Sequence, residues 1–330
     1  MTDALQNTQT TRGATEGVFV IVPSYNHARF VEKCLRSVMA QTLPPTKLLV
    51  IDDGSIDDSP KTAERVLKDC PFTCDLVVRP NRGLAATLNE GLRRSAESHA
   101  AYFAYLGSDD VWLPTFLESR VATLGSRPAV VVAYGNAFSI DETGAIIDST
   151  TEWAAYVDGD VRKMLMTTLA PLSPTVVYRR DALERHGWNE NARLEDYELY
   201  LRLSGEGEFA FDPQVLSAWR VHGKNASLDF AMMMNEKLAA QSRLGNRLGF
   251  TQPELRRFQS LGRFRTAQEY MRRNDKRIAL RLTLGNLRGI QSLAEATRMA
   301  AGLLAPRKLL QSRKSRRQAR AIQRYGSVKI

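Results

Sequence analysis

Four short, uninterrupted apolar runs alternate with segments of helical periodicity in the first third of the chain. The runs are VFVIVPSYN (18–26), KLLVIDDGS (47–55), DLVVRP (75–80) and AYFAYLG (101–107). A continuous apolar run is typical of a strand buried on both faces, as in a parallel sheet covered by helices. After the first run, apolar residues recur at i, i+3, i+4, i+7 and i+8 from Val31, which indicates an amphipathic helix. The pattern predicts an α/β fold with a Rossmann-like, mostly parallel sheet built from βαβ units.

The following segment, up to residue 228, predicts a mixture of helices and strands. The clearest patterns are the helical spacing of FLESRVATL (116–124) and EDYELYLRLS (195–204), and the strand-like AVVVAYGNAFSI (129–140) and VLSAWRVH (215–222). Between 141 and 145, DETGA is a hairpin signal. We interpret Trp112, Leu113 and Pro114 as the rigid start of the helix that follows them, with proline in its first turn.

Charge divides the chain into two parts. Residues 231–330 hold 23 Lys and Arg against 5 Asp and Glu, a net charge of +18 that leaves −8 for residues 1–230 of the total of +10. The composition also shifts near residue 229 to Arg, Leu, Ala and Met at helical spacing. We therefore expect a disordered polar leader (1–17), an α/β domain (18–228) with halves 18–113 and 114–228, and a basic α-helical region (229–330).

Three roles are open for the basic region, whose densest cluster is RKLLQSRKSRRQAR (307–320). It would lie on an anionic membrane surface, or form a packing or homodimerisation module with a solvated charged face. Nucleic-acid binding ranks last, because the region has no reader motif, and we expect no specific nucleic-acid partner. The polar start of the chain lacks a signal-peptide core and no apolar run is long enough to span a bilayer, so we expect a cytoplasmic protein, peripheral at the inner face of the membrane.

Polar clusters follow the predicted parallel strands. They are PSYN (23–26), DDGS (52–55), PNRG (80–83) and GSDD (107–110). Ligands of such sheets bind beyond the carboxyl ends of the strands, where these clusters should converge. Neither a G-x-G-x-x-G turn nor a P-loop is present, and the clusters offer carboxylates instead. Carboxylates repel phosphate unless a hard cation lies between them, so the doubled acids suggest a divalent-metal site for a nucleotide diphosphate.

Six stretches in order resemble family 2 glycosyltransferases, which have the GT-A fold. The match runs from residue 18 to residue 227 and includes VPSYN, IDDGS, RPNRG, YLGSDD, LEDYELYLRL and WRVHGKNAS. The resemblance implies that Asp53 contacts the base and that Arg82 faces the nucleotide or its phosphates. It also implies that four residues line the nucleoside pocket: Pro23, Ser24, Tyr25 and Asn26. A carboxylate at position 53 would accept the N3–H of uracil or thymine; the alternative role of Asp53 is to form the turn before Gly54.

The same resemblance implies a metal centre and a general base. Asp110 would be a ligand of manganese or magnesium and Asp109 would touch the donor's ribose or sugar, although the order of two adjacent acids stays open. His222 would reach the metal or the departing diphosphate. Asp196 would be the base that deprotonates the acceptor hydroxyl, unless it and Glu195 only offset the helix dipole. The other histidines are expected to be structural: His27, His99 and His186.

We therefore expect an inverting glycosyltransferase that moves a sugar from a UDP- or dTDP-linked donor to a hydroxyl of a glycan or lipid-linked acceptor. Family analogy and the basic region favour a role in surface glycan synthesis, such as lipopolysaccharide, O-antigen or exopolysaccharide. One alternative is a sugar nucleotidyltransferase, which would carry a Gly-rich, basic loop after the first strand, where PSYNHARF stands. The other alternative is a non-catalytic, membrane-associated scaffold.

Overall fold

The computed structural model describes residues 17–167, 170–223 and 225–328, so the predicted leader lies outside it apart from Gly17. The strands are β1 Val18–Ser24, β2 Lys47–Asp52, β3 Cys74–Val78, β4 Tyr102–Tyr105, β5 Val111–Trp112, β6 Val130–Ile140, β7 Ile146–Ser149, β8 Val177–Arg179 and β9 Glu208–Arg220. The α-helices are α1 Val31–Met39, α2 Ser59–Leu67, α3 Leu84–Ser95, α4 Phe116–Gly125, α5 Arg162–Thr167, α6 Arg180–Glu184, α7 Glu195–Leu203, α8 Phe230–Leu244, α9 Gln252–Arg272, α10 Lys276–Leu284, α11 Leu293–Leu304 and α12 Arg307–Tyr325.

One sheet connects these strands in the order β3-β2-β1-β4-β8-β6-β9-β5, with β7 paired to β6. The β3-β2-β1-β4 part and the β6–β9 pair are parallel, which confirms the predicted mostly parallel α/β fold, and the remaining pairs are antiparallel. Along β1, Phe19 and Ile21 pack in one hydrophobic core, whereas Val18, Val20 and Val22 pack in the other. Because both faces of the strand are buried, its sequence is a continuous apolar run.

The start of the helix after GSDD differs from the prediction. Val111 and Trp112 form β5, paired antiparallel with Ala218 and Ser217, and α4 begins only at Phe116. The indole N–H of Trp112 donates to the Pro174 carbonyl oxygen at 2.8 Å, and its ring is buried. These interactions hold the segment extended, so the interpretation of residues 112–114 as a helix start is wrong.

The region after residue 229 is helical, as expected, and both of its ends contact the α/β domain. From α8, Arg243 pairs with Glu198 of α7, and the Gln241 amide donates to the Tyr197 hydroxyl at 3.0 Å. The end of α12 returns to β7, where Arg317 lies 2.9 Å from both carboxylate oxygens of Asp148. Throughout the described part of the chain, no helix has the length and apolarity needed to cross a membrane.

Candidate active site

The loop after β1 is tied to the loop after β2. Asn26 has φ of 55°, its backbone N–H donates to the Ser55 hydroxyl at 2.8 Å, and its side-chain oxygen accepts the Ile56 N–H at 2.9 Å. Ser24 is buried, and in the described ranges its hydroxyl has no hydrogen-bond partner. Tyr25 is 49% exposed at the same edge. Of the four residues predicted to line the nucleoside pocket, Asn26 therefore holds the loop while Tyr25 presents its ring to solvent.

Asp53 lies at the adjacent strand end, against the start of α3. Its carboxylate accepts the backbone N–H groups of Arg82 at 2.9 Å and Gly83 at 2.8 Å, and it pairs with the guanidinium of Arg79. These three donors fit the role of a turn and helix-start residue, and they use much of the carboxylate's accepting capacity. The Arg82 side chain is about half exposed, 3.8 Å from Glu90. The predicted contacts of Asp53 and Arg82 with a nucleotide stay predictions.

Asp109 forms a cluster with two histidines from distant parts of the chain. Its Oδ2 lies 3.0 Å from Nε2 of His222, and its Oδ1 lies 3.8 Å from Nδ1 of His27. One ligand atom from each of the three residues lies within 4.8 Å of the other two. The sequence analysis expected His27 to be structural, whereas the structure places it beside Asp109 and His222; its position directly after PSYN, at a strand end, was the available signal. Its Nδ1 also lies 2.8 Å from the Ser108 hydroxyl.

Asp110, the second acid of the pair, is tied to β9. It is buried, and its Oδ1 accepts the backbone N–H of Arg220 at 2.7 Å. Burial, together with the charge of Asp109, holds the pKa of Asp110 well above its usual value. The Arg220 guanidinium donates to the Asp109 carbonyl oxygen at 2.7 Å and stacks over Phe30. The two adjacent acids thus have different surroundings, since Asp110 joins the loop to β9 and Asp109 faces the histidines.

The cluster of His27, Asp109 and His222 fits a divalent cation. Magnesium prefers oxygen ligands, so two imidazole nitrogens beside one carboxylate oxygen favour a transition-metal dication over magnesium. Burial alone would raise the pKa of Asp109, but the hydrogen bond from His222 and the positive potential of His27 outweigh it and lower that pKa below its usual value. The carboxylate is therefore ionised, as a metal ligand must be.

Asp196, the predicted base, lies near the start of α7 and is held by two donors. Its Oδ2 accepts the Tyr105 hydroxyl at 2.5 Å, and its Oδ1 lies 3.4 Å from the Trp188 indole nitrogen. Burial raises its pKa to about 6 despite these hydrogen bonds. Burial and the charge of Asp196 raise the pKa of the adjacent Glu195 to about 8. Tyr105 is the last residue of β4, four residues before Asp109, so the same strand end supports the base and the cluster.

Several known proteins are similar to this chain. A putative glycosyltransferase EpsH of Bacillus subtilis is 28% identical over 52% of this chain and 49% of its own length, and an uncharacterised glycosyltransferase of Nostoc sp. PCC 7120 is 27% identical over 51% and 52%. A chondroitin synthase of Escherichia coli is 24% identical over 64% of this chain and 30% of its own length. The chain thus spans about half or less of the length of these relatives.

Two solved structures share the fold at low sequence identity. The mannosyltransferase PcManGT from Pyrobaculum calidifontis, in complex with GDP-Man and Mn²⁺, has a TM-score of 0.58 and 18% identity, covering 92% of this chain and 84% of its own. TarS 1–349 of S. aureus in complex with UDP-GlcNAc has a TM-score of 0.58 and 14% identity, covering 94% and 89%. The likeness identifies the fold as GT-A. The model of glycosyl transferase family 2 matches residues 19–187, half of the chain, and the chain therefore belongs to that family.

Proposed function

We propose that this protein is an inverting glycosyltransferase that moves a sugar from a nucleotide-diphosphate sugar to a hydroxyl group of an acceptor. One observation carries the proposal: the last residue of β4, Tyr105, donates to Asp196, a carboxyl group with a pKa near 6, and the loop after that strand carries Asp109, the carboxylate that lies beside His27 and His222. A base and a site for a diphosphate leaving group are the two parts that such a transfer needs. Membership of glycosyl transferase family 2 supports the same reaction.

In the proposed reaction, Asp196 removes the proton of the acceptor hydroxyl as its oxygen attacks the anomeric carbon from the side opposite the diphosphate. A carboxyl group with a pKa of about 6 is ionised near pH 7 and is a stronger base than an ordinary aspartate. The Tyr105 hydroxyl and the Trp188 indole N–H fix the orientation of its two oxygens. Attack from that side inverts the configuration of the anomeric carbon.

A divalent cation would be held by Asp109, His27 and His222, with Asp110 as a positioning residue that fastens the loop to β9 through Arg220. When bound, such a cation neutralises charge on the departing diphosphate. We propose manganese because Mn²⁺ is bound in PcManGT and because two imidazole nitrogens disfavour magnesium, which prefers oxygen ligands.

For the donor, we propose a UDP- or dTDP-linked sugar, bound along PSYN with Asp53 and Arg82 beside the nucleotide. The structural neighbours bind donors with different nucleobases, GDP-Man in PcManGT and UDP-GlcNAc in TarS, and the thermal-shift screen below compares both types. For the acceptor, we propose a growing surface glycan at the cytoplasmic face of an anionic membrane that the region 231–330 contacts. Similarity to chondroitin and hyaluronan synthases supports a polysaccharide product.

A thermal-shift screen of UDP-, dTDP- and GDP-sugars, each with and without manganese, tests the donor and metal proposals. A ligand that binds only the folded state raises its stability by RT ln(1 + [L]/Kd), so the true donor should raise the melting temperature, and more so with manganese. Asp109→Asn should lose the manganese-dependent part of the shift. Stabilisation by none of the nucleotides would contradict the proposed function.

Asp196→Asn separates an enzyme from a non-catalytic scaffold. The variant should keep the donor-induced thermal shift but lose sugar transfer by about two to four orders of magnitude, the usual contribution of a general base. Release of nucleotide diphosphate in the presence of donor and acceptor is the measurement. Unchanged transfer by Asp196→Asn would rule out the proposed base, and net synthesis of nucleotide sugar from a sugar phosphate would favour a nucleotidyltransferase.

A further inference from the structure

Five leucine side chains are exposed along α10, α11 and the short 3₁₀ helix Leu287–Gly289 between them. They are Leu280, Leu284, Leu287, Leu293 and Leu304, and the last two are each 85% exposed. Scattered single leucines on a surface are ordinary, but five exposed leucines within 25 consecutive residues are a density that needs an explanation.

On α10 the exposed leucines lie beside arginines. Ala279 is buried on the side that faces the protein, while Leu280 and Leu284 are exposed one turn apart on the other side. Arg277 and Arg281 form a second exposed row with the same spacing. Residues four apart are neighbours on a helix surface, so the uncovered face of α10 presents an apolar row next to a cationic one.

On α11 the arrangement is similar. Met299 is buried, whereas Leu293 and Leu304 lie on the opposite face, since eleven residues correspond to about three helical turns. Arg298 is also exposed. The one acidic residue of this helix, Glu295, is buried and pairs with Arg265 of α9 at 3.2 Å. Its charge is therefore compensated within the helical region.

The surrounding charge indicates what covers this face. Residues 276–330 contain 14 Lys and Arg and a single acid, Glu295. A second copy of the same face would bring like charges together, which disfavours self-association through it. An anionic lipid surface offers phosphates to the arginines and an acyl boundary to the leucines.

Two arginines of α12 are engaged by the α/β domain. Arg317 pairs with Asp148 of β7, and Arg324 lies 2.7 Å from Glu152. The backbone after α12 continues this contact, with the Val328 N–H donating to the Gly144 carbonyl at 3.1 Å. Part of the α12 charge therefore holds this helix on the α/β domain, whereas the arginines of α10 and α11 make no ion pair with any described residue.

We propose that the protein rests on anionic lipid bilayers through the leucine–arginine surface, defined as Leu280, Leu284, Leu287, Leu293 and Leu304 with Arg277, Arg281, Arg288 and Arg298. The leucines enter the acyl boundary and the guanidinium groups contact lipid phosphates. This inference rests on the proposed function, which includes contact with an anionic membrane. It assigns that contact to α10 and α11 rather than to the arginine cluster of α12.

Flotation of the full chain with lipid vesicles tests the assignment. The protein should float with vesicles of equimolar phosphatidylglycerol and phosphatidylcholine, and much less with phosphatidylcholine alone. Leu293→Ser with Leu304→Ser keeps all charges and should lower vesicle partitioning about fivefold per leucine, for partial burial of each side chain. Ile56→Ser, at a side chain 93% exposed on the α/β domain, is the matched control and should float like the parent protein.

A charge variant tests the second component of the surface. Arg277→Gln with Arg281→Gln should lower partitioning about fivefold per charge, whereas Arg93→Gln, an exposed arginine of α3, should not. Equal binding to both vesicle types, or unchanged flotation of the double serine variant, would overturn the proposal. Conversion of a dimer to a monomer by that variant would also overturn it, because a second copy would then cover the surface.

The donor-induced thermal shift distinguishes failure of this surface from failure of the proposed function. Both double variants should retain the shift, since α10 and α11 carry none of the proposed donor, metal or base residues. Flotation without any nucleotide binding would contradict the proposed function and leave the surface intact, and the reverse result would contradict only the surface.

Discussion

Replacing Tyr105 by phenylalanine removes one of the two hydrogen bonds that hold the Asp196 carboxylate. The Tyr105 hydroxyl donates to Asp196 Oδ2 at 2.5 Å, and this bond lowers a pKa that burial raises to about 6. Because the bond favours the ionised form, its loss must raise the pKa of Asp196 further. A proposed base is active only when deprotonated, so the acid limb of the pH–rate profile should move to higher pH.

The size of the shift follows from the strength of the bond. A hydrogen bond to a charged group is worth about 1.5–3 kcal/mol, and about 1.4 kcal/mol corresponds to one pKa unit. The pKa of Asp196 should therefore rise by about one to two units in Tyr105→Phe. Near pH 7 the ionised fraction, and with it kcat, should fall about two- to tenfold, and the rate should recover above roughly pH 9.

The assay is the initial rate of nucleotide diphosphate release across the pH range, with the donor found by thermal shift. Tyr197→Phe is the matched control, since its hydroxyl donates to the Leu165 carbonyl at 2.9 Å, away from Asp196. That variant should lose stability but keep the parent profile. Superimposable profiles of Tyr105→Phe and the parent protein would refute the reasoning, as would a loss of rate that is the same at every pH.

Three further variants test the remaining parts of the site and the domain. Asp110→Ala should lower the free energy of unfolding in urea by about 1–3 kcal/mol because it leaves the Arg220 N–H buried without an acceptor; equal stability would contradict this role. Arg120→Met leaves the Asp212 carboxylate buried without its ion-pair partner and should lower the free energy of unfolding by about 3–5 kcal/mol in the same assay. The double variant Arg120→Met with Asp212→Leu should recover most of this stability, and a double variant as unstable as Arg120→Met would contradict the role of the ion pair. Glu195→Gln should keep the rate near pH 7 within about twofold, since a carboxyl with a pKa of about 8 is already neutral there, and a tenfold loss would assign Glu195 a further role.

Much of the nucleotide half could be read from local pattern. The strands β1, β2 and β4 are buried on both faces, so each is a continuous apolar run that no surface element would carry. The polar clusters that follow them lie at the carboxyl edge because parallel strands end together. By contrast, β5 has two residues, and its partners in β9 lie more than a hundred positions away, so no local signal distinguishes it from a helix start.

The sequence by itself determined the parallel β1–β4 part of the sheet, the helical C-terminal region and the family, because these depend on periodicity and on residues close together in the chain. Only the tertiary structure decided which of two adjacent acids faces the histidines, since that depends on the contact of Asp110 with Arg220, 110 positions later. It also brought His27 beside Asp109, 82 positions away, and Tyr105 beside Asp196, 91 positions away. Long-range packing sets the surroundings of each titratable group, and those surroundings determine the pKa values and ligand geometry that the proposed chemistry requires.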